Sequence, residues 1–282
     1  MVISTRITKP VAGTSRPPHF ATFNAVFDVI RYPAGERHVR VTQDAELDRI
    51  ETIEATVRSF DDLALVVTAD RILRRLDHRV EWFIPYFPFA RHDRRIDALD
   101  GLELELALEL AQQLRVVVAD PHSDVTGQLR HFTQTEVVKV FERAGLFSND
   151  PIVIVPDAGA AKKAYGWAKG RTVVQALKTR DVHTGALSGF EVLADDLDGR
   201  PCIIVDDICD GGGTFLGLAT ELQKANAGPL TLAVTHGLFT KGTHCLLDVF
   251  DTVACLIPTE SEPIAGVETA PFSDLYTQGA IT

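Results

Sequence analysis

The sequence has no surplus of positive charge: 28 Lys and Arg stand against 39 Asp and Glu, a formal net charge of −11. Bulk electrostatics of that sign argue against a nucleic-acid coat or a binder of anionic membranes, and no nucleic-acid or membrane partner is expected. Cysteine is scarce. Cys202, Cys209, Cys245 and Cys255 show no metal-ligand spacing, and two of them sit in apolar runs. That excludes a zinc-finger framework and points to a reducing, cytoplasmic setting. No apolar run approaches the ~20 residues of a membrane-spanning helix. The basic N-terminal stretch lacks the apolar core of a signal peptide. What is present is a globular composition, 45% hydrophobic and 24% charged over 282 residues, enough chain for two domains of ordinary size.

The chain is organised around residues 202–214, Cys-Ile-Ile-Val-Asp-Asp-Ile-Cys-Asp-Gly-Gly-Gly-Thr. Cys202–Val205 is an apolar run of buried-strand length. Asp206 and Asp207 stand where it should end, Asp210 opens a loop of Gly211, Gly212 and Gly213, and Thr214 begins a helical pattern that Gly228 stops. Such a turn lies at the carboxyl edge of an open α/β sheet, where ligands bind. Glycines let backbone amides approach an anion, and a helix start favours negative charge. Three aspartates beside a phosphate cradle would repel the phosphate unless a cation intervenes. Mg²⁺ is one answer; hydrogen bonds from the aspartates to sugar hydroxyls are another.

Elsewhere, apolar strand-length runs alternate with helical patterns. Arg37–Val41 alternates like a strand. Leu47–Phe60 reads as a short helix, Leu63–Val67 as a buried strand and Ala69–Leu76 as a helix. Strands are expected at Val80–Ile84, Val116–Ala119, Ile152–Val155, Val173–Leu177, Leu230–Val234 and Thr252–Leu256, and helices over Leu102–Leu114, over Thr135–Ala144 and after Gly159. Residues 183–200 read as a hairpin, and the last twenty residues carry no strong pattern. This alternation predicts an α/β protein with parallel sheets. A weak internal echo matches Val117–Asp120, Asp124 and Gly127 to Ile203–Asp206, Asp210 and Gly213 at constant offset. The interruption at Gly145–Pro151 places a division between domains 1–147 and 148–282, with the closing residues a candidate to pack back on the first.

The stretch at 202–214 resembles the phosphoribosyl-diphosphate (PRPP) motif of phosphoribosyltransferases. Five further stretches narrow the likeness. Ile84–Arg94 is similar to the Tyr-Phe-x-Tyr-Ala-Arg-Gln-Asp-Arg segment of ribose-phosphate pyrophosphokinases, and Asp120-Pro121-His122 to their Asp-Leu-His metal segment. Val155–Gly159 resembles their Ser-Pro-Asp-x-Gly, and Lys178-Thr179-Arg180 falls where they carry a catalytic Lys-Arg-Arg. Gly35-Glu36 resembles their Asp-Gly-Glu start. The likeness implies two phosphoribosyltransferase-like domains, each a mostly parallel sheet flanked by helices. It also implies Mg²⁺-dependent transfer of diphosphate from ATP to the anomeric hydroxyl of ribose 5-phosphate, giving PRPP and AMP. Catalysis of this kind is mostly positioning and charge stabilisation.

On that resemblance, Lys178 and Arg180, on a loop after a strand, close over the diphosphate. His122 and Asp157 hold Mg²⁺, directly or through water. Arg91, His92 and Arg94 contact ATP. Tyr32 and Glu36 meet the adenine, from a neighbouring subunit of a homo-oligomer. Asp206, Asp207 and Asp210 face the ribose hydroxyls and Mg²⁺, while Gly211, Gly212, Gly213 and Thr214 hold the 5-phosphate. Without the resemblance, Arg91–Arg95 reads as a solvated charge run, His122 as a structural histidine, Lys178 and Arg180 as surface cations, and Tyr32 as packing.

Departures from the family pattern open alternatives. The family loop Asp-Thr-Ala-Gly-Thr is here Asp210-Gly211-Gly212-Gly213-Thr214, which removes a hydroxyl donor and widens the cradle. His92 replaces a glutamine, Thr179 an arginine, Pro121 a leucine, and Ala34 an acid or amide. A wider cradle would admit a larger ribose 5-phosphoester such as ADP-ribose as acceptor. A phosphoribosyltransferase that consumes PRPP and a catalytically silent regulatory homologue are the remaining readings.

Overall fold

Apolar segments that end in acids become parallel strands, and the amphipathic segments after them become the helices that cover those strands. A computed structural model describes residues 19–93, 102–147, 150–180 and 187–278. Two units emerge. The first comprises the chain through Phe132 with Pro258–Glu262 and the segment from Phe272 onward; the second comprises Thr133–Ile257 and Pro263–Pro271.

In the first unit the elements are β1 (Phe20–Thr22), α1 (Phe23–Val26), β2 (Phe27–Arg31), β3 (Arg37–Val41), β4 (Thr52–Glu54), α2 (Phe60–Arg75), β5 (Glu81–Phe83), α3 (Glu103–Ala111), β6 (Val116–Ala119) and β7 (Arg130–Phe132). The main sheet runs β1-β4-β5-β6-β7, with each neighbouring pair parallel. β2 and β3 form a separate antiparallel hairpin.

Two readings of this region need correction. Leu63–Val67 is not a strand but part of the continuous helix α2. Its buried residues Leu63, Val66, Val67, Asp70 and Leu73 recur at helical spacing, and the Ser59 side chain accepts from the Asp62 amide at 3.3 Å to cap it. A short apolar run does not by itself separate strand from buried helix. Leu47–Phe60 is not a helix but a single 3₁₀ turn, Leu47–Arg49, followed by β4. At the matching position of the internal echo the two units differ: Asp124–Gln128 forms a short 3₁₀ turn, whereas Gly213 begins the helix Gly213–Lys224.

One face of this sheet packs Ile53, Trp82, Ile84, Val116 and Val118 against Leu63, Leu73, Leu104 and Ala107 of the helices. Within that layer the buried Asp70 accepts from Trp82 Nε1 at 3.0 Å and pairs with Arg74. Aromatic rings gather around Phe83, with Phe132 at 5.7 Å, Phe272 at 6.2 Å and Tyr276 at 5.1 Å between centroids. The 3₁₀ segment Phe272–Gln278 supplies two of these rings, so a stretch without a readable pattern is structured here. Tyr276 Oη donates to Glu81 Oε1 at 2.9 Å, and Glu81 also pairs with Arg130. Burial and the Glu81 carboxylate push the Tyr276 phenol well above its ordinary range.

The second unit contains α4 (Gln134–Arg143), β8 (Ile152–Val155), α5 (Ala158–Ala164), β9 (Val173–Arg180), β10 (Leu187–Val192), β11 (Cys202–Cys209), α6 (Gly213–Lys224), β12 (Leu230–Gly237), α7 (His244–Leu247), β13 (Thr252–Ile257) and β14 (Glu268–Pro271). Its sheet runs β10-β9-β8-β11-β12-β13-β14, parallel except for the β9–β10 pair. The division in contacts therefore precedes α4, ahead of the Gly145–Pro151 interruption. Both units are α/β with mostly parallel sheets, as the alternation predicts. Among the described residues no helix is long and apolar enough to cross a membrane.

The Tyr276–Glu81 bond gives a direct test. Tyr276→Phe keeps the ring and loses the bond, an expected cost of about 1–2 kcal/mol. Tyr276→Ala also empties the aromatic cluster and should cost about 3–5 kcal/mol. Urea unfolding of the two variants measures both; equal losses would show that the hydroxyl carries the whole effect.

Candidate functional site

The second unit brings most of the acidic residues together. β11 does not end at Val205 but runs on to Cys209. The reason is unequal support. β8 pairs with it only as far as Ile204, whereas β12 continues alongside, Asp206 opposite Val234 and Cys209 opposite Gly237. Asp206 and Asp207 thus ride on a strand whose β8-side ladder has already stopped.

Asp207 is buried, at 6% exposure. Lys163 Nζ, from α5, meets its Oδ2 at 2.8 Å. The Asp207 amide donates to Asp206 Oδ1 at 2.9 Å. Burial and then the neighbouring Asp207 charge push the Asp206 carboxyl up to about 8, with a smaller push from Asp157; the Asp207 amide and Lys163 oppose it. Asp157 lies at the start of α5, where its Oδ1 accepts from the Ala160 amide at 3.0 Å and caps the helix. This capping role gives Asp157 a structural purpose in addition to any part in metal binding.

The glycine loop follows. Gly212 has φ +78° and forms the N-cap of α6, a left-handed position where glycine carries no Cβ penalty. Its carbonyl accepts from the Phe215 and Leu216 amides, both at 3.0 Å. The segment after β12 is laced to the loop from outside. Leu238 and Phe239 amides donate to Cys209 O at 2.9 and 3.1 Å, and the Thr240 amide donates to Asp210 O at 3.1 Å. Thr240 Oγ1 also donates to Asp210 Oδ1 at 2.6 Å.

A Cβ at Gly211 would lie 3.2–3.4 Å from the Cγ, Cδ and Cε of Lys241, and one at Gly212 would lie 3.2 Å from Leu246 Cδ2. One at Gly213 would meet nothing within 4 Å. The triple glycine is therefore not a uniformly widened cradle. Side chains from outside the motif take up the room at two of its three positions.

The other candidates lie in the first unit. Tyr32 and Glu36 flank the β2–β3 turn, with the Tyr32 amide donating to Glu36 O at 2.9 Å and Gly35 at φ +104°. Both side chains are exposed. Arg91 closes the 3₁₀ turn Pro88–Arg91, anchored by buried Phe89 and Ala90, and His92 Nδ1 faces Glu103 Oε2 at 3.3 Å. His122 is exposed on the loop after β6. Ser123 Oγ donates to Asp93 Oδ2 at 2.7 Å, which ties the His122 loop to the segment after Arg91 and His92. Arg94 lies outside the described residues.

Lys178 and Arg180 do not lie on a loop after a strand. Their backbone belongs to β9, paired antiparallel with β10, Lys178 opposite Phe190 and Arg180 opposite Leu187. His122 and Asp157, read as joint holders of a metal, belong to different units. Among the described residues no group of three or more His, Cys, Asp and Glu side chains forms a metal cage. Lys163, Ser123, Thr240 and Lys241 belong to none of these motifs. Only Lys163 left a trace, as part of the Ala- and Lys-rich run after Gly159.

Comparison with known proteins agrees with the motifs. The chain is 26% identical over 260 residues to the ribose-phosphate pyrophosphokinase of Maricaulis maris, covering 85% of this chain and 83% of that one. It is 28% identical over 229 residues to that of Granulibacter bethesdensis, covering 76% and 72%. The Vibrio cholerae enzyme of the same name is 28% identical over 225 residues, 75% and 71% of the two chains. The phosphoribosylpyrophosphate synthetase of Mycobacterium smegmatis superposes with a TM-score of 0.72 at 19% identity, covering 91% and 95%. No family model matches the chain. The resemblance to ribose-phosphate pyrophosphokinases, which are diphosphotransferase enzymes, thus runs across most of the chain, and the fold is theirs.

The raised Asp206 carboxyl sets a pH dependence. Between the ordinary aspartate value and about 8, the folded chain holds a proton that the unfolded chain does not. Its contribution to stability is complete below the ordinary value and is lost as pH rises toward 8. In metal-free buffer, Asp206→Asn should therefore melt higher than the unaltered chain at pH 8, by about 3 °C or more, with a smaller gap at pH 5. Thermal melts at the two pH values check this; a constant gap would contradict the assignment.

Proposed function

We propose that the chain transfers diphosphate from ATP to the anomeric hydroxyl of ribose 5-phosphate, forming PRPP and AMP. The observation that carries this reading is the Asp206–Asp207 pair at the end of β11, running straight into the glycine loop at the start of α6. In a chain similar to pyrophosphokinases over most of its length, that unit is suited to an acceptor carrying both hydroxyls and a phosphate.

The anomeric oxygen attacks the β-phosphorus of ATP. The bond from that phosphorus to the α–β bridging oxygen breaks, AMP leaves with the oxygen, and the hydroxyl proton is released. Asp206 and Asp207 would orient the ribose hydroxyls, and backbone amides at 211–214 would receive the 5-phosphate. Lys178 and Arg180 would stabilise charge on the diphosphate in transit. Arg91, His92 and Arg94 would hold ATP, with Tyr32 and Glu36 at the adenine of a neighbouring subunit in a homo-oligomer.

The residues fit Mg²⁺ better than a metal that needs a full protein cage. Mg²⁺ uses one or two carboxylates, retains waters and leans on substrate phosphates. Asp206 is raised by burial and then by the neighbouring Asp207 charge, and a cation beside the pair would offset both effects. Asp157 and His122 are the candidate holders of the ion, directly or through water. It would supply neutralisation of the triphosphate.

A larger 5-phosphoester such as ADP-ribose has one observation on its side, the open space beside Gly213. The test is an incubation with ATP, Mg²⁺ and either acceptor. AMP and PRPP should form with ribose 5-phosphate, and Lys178→Ala should lower the rate about 100-fold or more. Turnover of ADP-ribose with ribose 5-phosphate inert would replace the acceptor. Base-dependent pyrophosphate release from PRPP, with no AMP from ATP, would make the chain a phosphoribosyltransferase instead.

A further inference from the structure

The acidic loop carries a charge problem that its own motif does not solve. Asp206 and Asp207 lie on β11 and Asp210 opens the glycine loop, so three acids border the stretch that the diphosphate-transfer reading assigns to an anionic acceptor. Lys163 is engaged with Asp207 at 2.8 Å. A second cation beside this loop is Lys241, from the segment after β12. Its methylene stem lies over Gly211, with Cγ, Cδ and Cε 3.2–3.4 Å from the point a Cβ would occupy. The ammonium, one bond past Cε, is thus within about 5 Å of that point. Lys241 is exposed, and among the described residues it has no hydrogen-bond or ion-pair partner.

The position of Lys241 is built rather than incidental. On one side, Thr240 is fastened to Asp210 through both its amide and its hydroxyl. On the other, Gly242 turns at φ +76° and its amide donates to Phe239 O at 2.8 Å. Beyond the turn, α7 sends Leu246 against Gly212. The segment 238–246 is therefore registered on the glycine loop by backbone bonds, a side-chain bond and packing. A residue larger than glycine at 211 would press on the Lys241 stem, so the glycine and the lysine fit as a pair.

We propose that Lys241 is a specificity-determining residue of the acceptor site. Its ammonium binds the terminal phosphate monoester of the acceptor, offsetting the charge of Asp210, and its stem occupies the space that a bulkier 5-substituent would need beside Gly211. A lysine suits this task as a compact point charge that needs no fixed fork geometry. The inference rests on the diphosphate-transfer reading for the identity of the acceptor, and it can fail separately from it.

Two variants separate charge from bulk. Lys241→Met keeps most of the stem without the charge; Lys241→Ala removes both. Calorimetric titration of the full chain with ribose 5-phosphate and with ADP-ribose, without ATP, reads binding independently of turnover. The unaltered chain should prefer ribose 5-phosphate. Both variants should bind it about 10-fold or more weakly, and only Lys241→Ala should lose the preference over ADP-ribose. Equal affinities across the three proteins, or no binding of either ester to the unaltered chain, would overturn the assignment. AMP formation is then assayed separately. Binding that depends on Lys241 without any AMP from ATP sinks the diphosphate-transfer reading alone. AMP formation with unchanged acceptor KM in both variants sinks the role of Lys241 alone.

Discussion

The burial of adjacent carboxylates on β11 is the constraint on which the rest of the second unit depends. Burial first, then the Asp207 charge and more weakly Asp157, push the Asp206 carboxyl well above the ordinary carboxylate range. Each acid has a local counterweight. Asp207 has Lys163, Asp206 has the amide of its neighbour, Asp157 has the start of α5, and Asp210 has the Thr240 hydroxyl. These partners lower the cost of assembly without removing it, because buried like charges remain expensive in a medium of low dielectric. A site that stores this much unfavourable charge is most stable with a cation or a set of sugar hydroxyls against it. The local instability and the binding preference share one origin.

The sheet makes that concentration of charge possible. A strand buried on both sides would not carry two adjacent aspartates, since their side chains point to opposite faces. β11 carries them only past Ile204, where the β8 ladder has ended and β12 alone continues. The extra length of β12 also delivers Leu238–Thr240 to the loop, where amides that would otherwise lack partners bond to Cys209 and Asp210. The first unit uses a related device. Ser123 bonds Asp93, so the segments bearing His92 and His122 are fixed to each other by a side chain that no motif contains.

The legibility of these features in the sequence followed their range. β6, β8 and β13 were readable because each is a short β-branched or apolar run with breakers nearby. The acid–glycine turn was readable because paired aspartates after such a run have little other purpose. α2 was misread where Leu63–Val67 mimics a strand; the Ser59 cap and the buried spacing through Leu73 outweigh that local bias. β14 and the 272–278 segment had no readable pattern, because their order comes from pairing with β13 and from rings contributed by Phe83 and Phe132. In the sequence, the charged run at Lys178–Arg180 reads as the end of a strand. The hairpin pairing with β10 extends it through them.

The three glycines show most clearly where pattern reading stops. From sequence they are equivalent, and each adds roughly 0.5–1 kcal/mol of ordering cost relative to alanine. In the fold they are not equivalent, and only the first two have a steric or backbone reason to be glycine. Gly212 needs a left-handed backbone and also lies against Leu246. Gly211 yields its Cβ space to Lys241, while Gly213 is exposed and has nothing near it. Loss of the hydroxyl and methyl found in the family loop therefore does not simply enlarge the site. It moves the chemistry of that wall from the loop itself to a lysine brought in by the following strand. Acceptor identity then depends on how β12 and α7 are registered on the loop as much as on the loop's own residues.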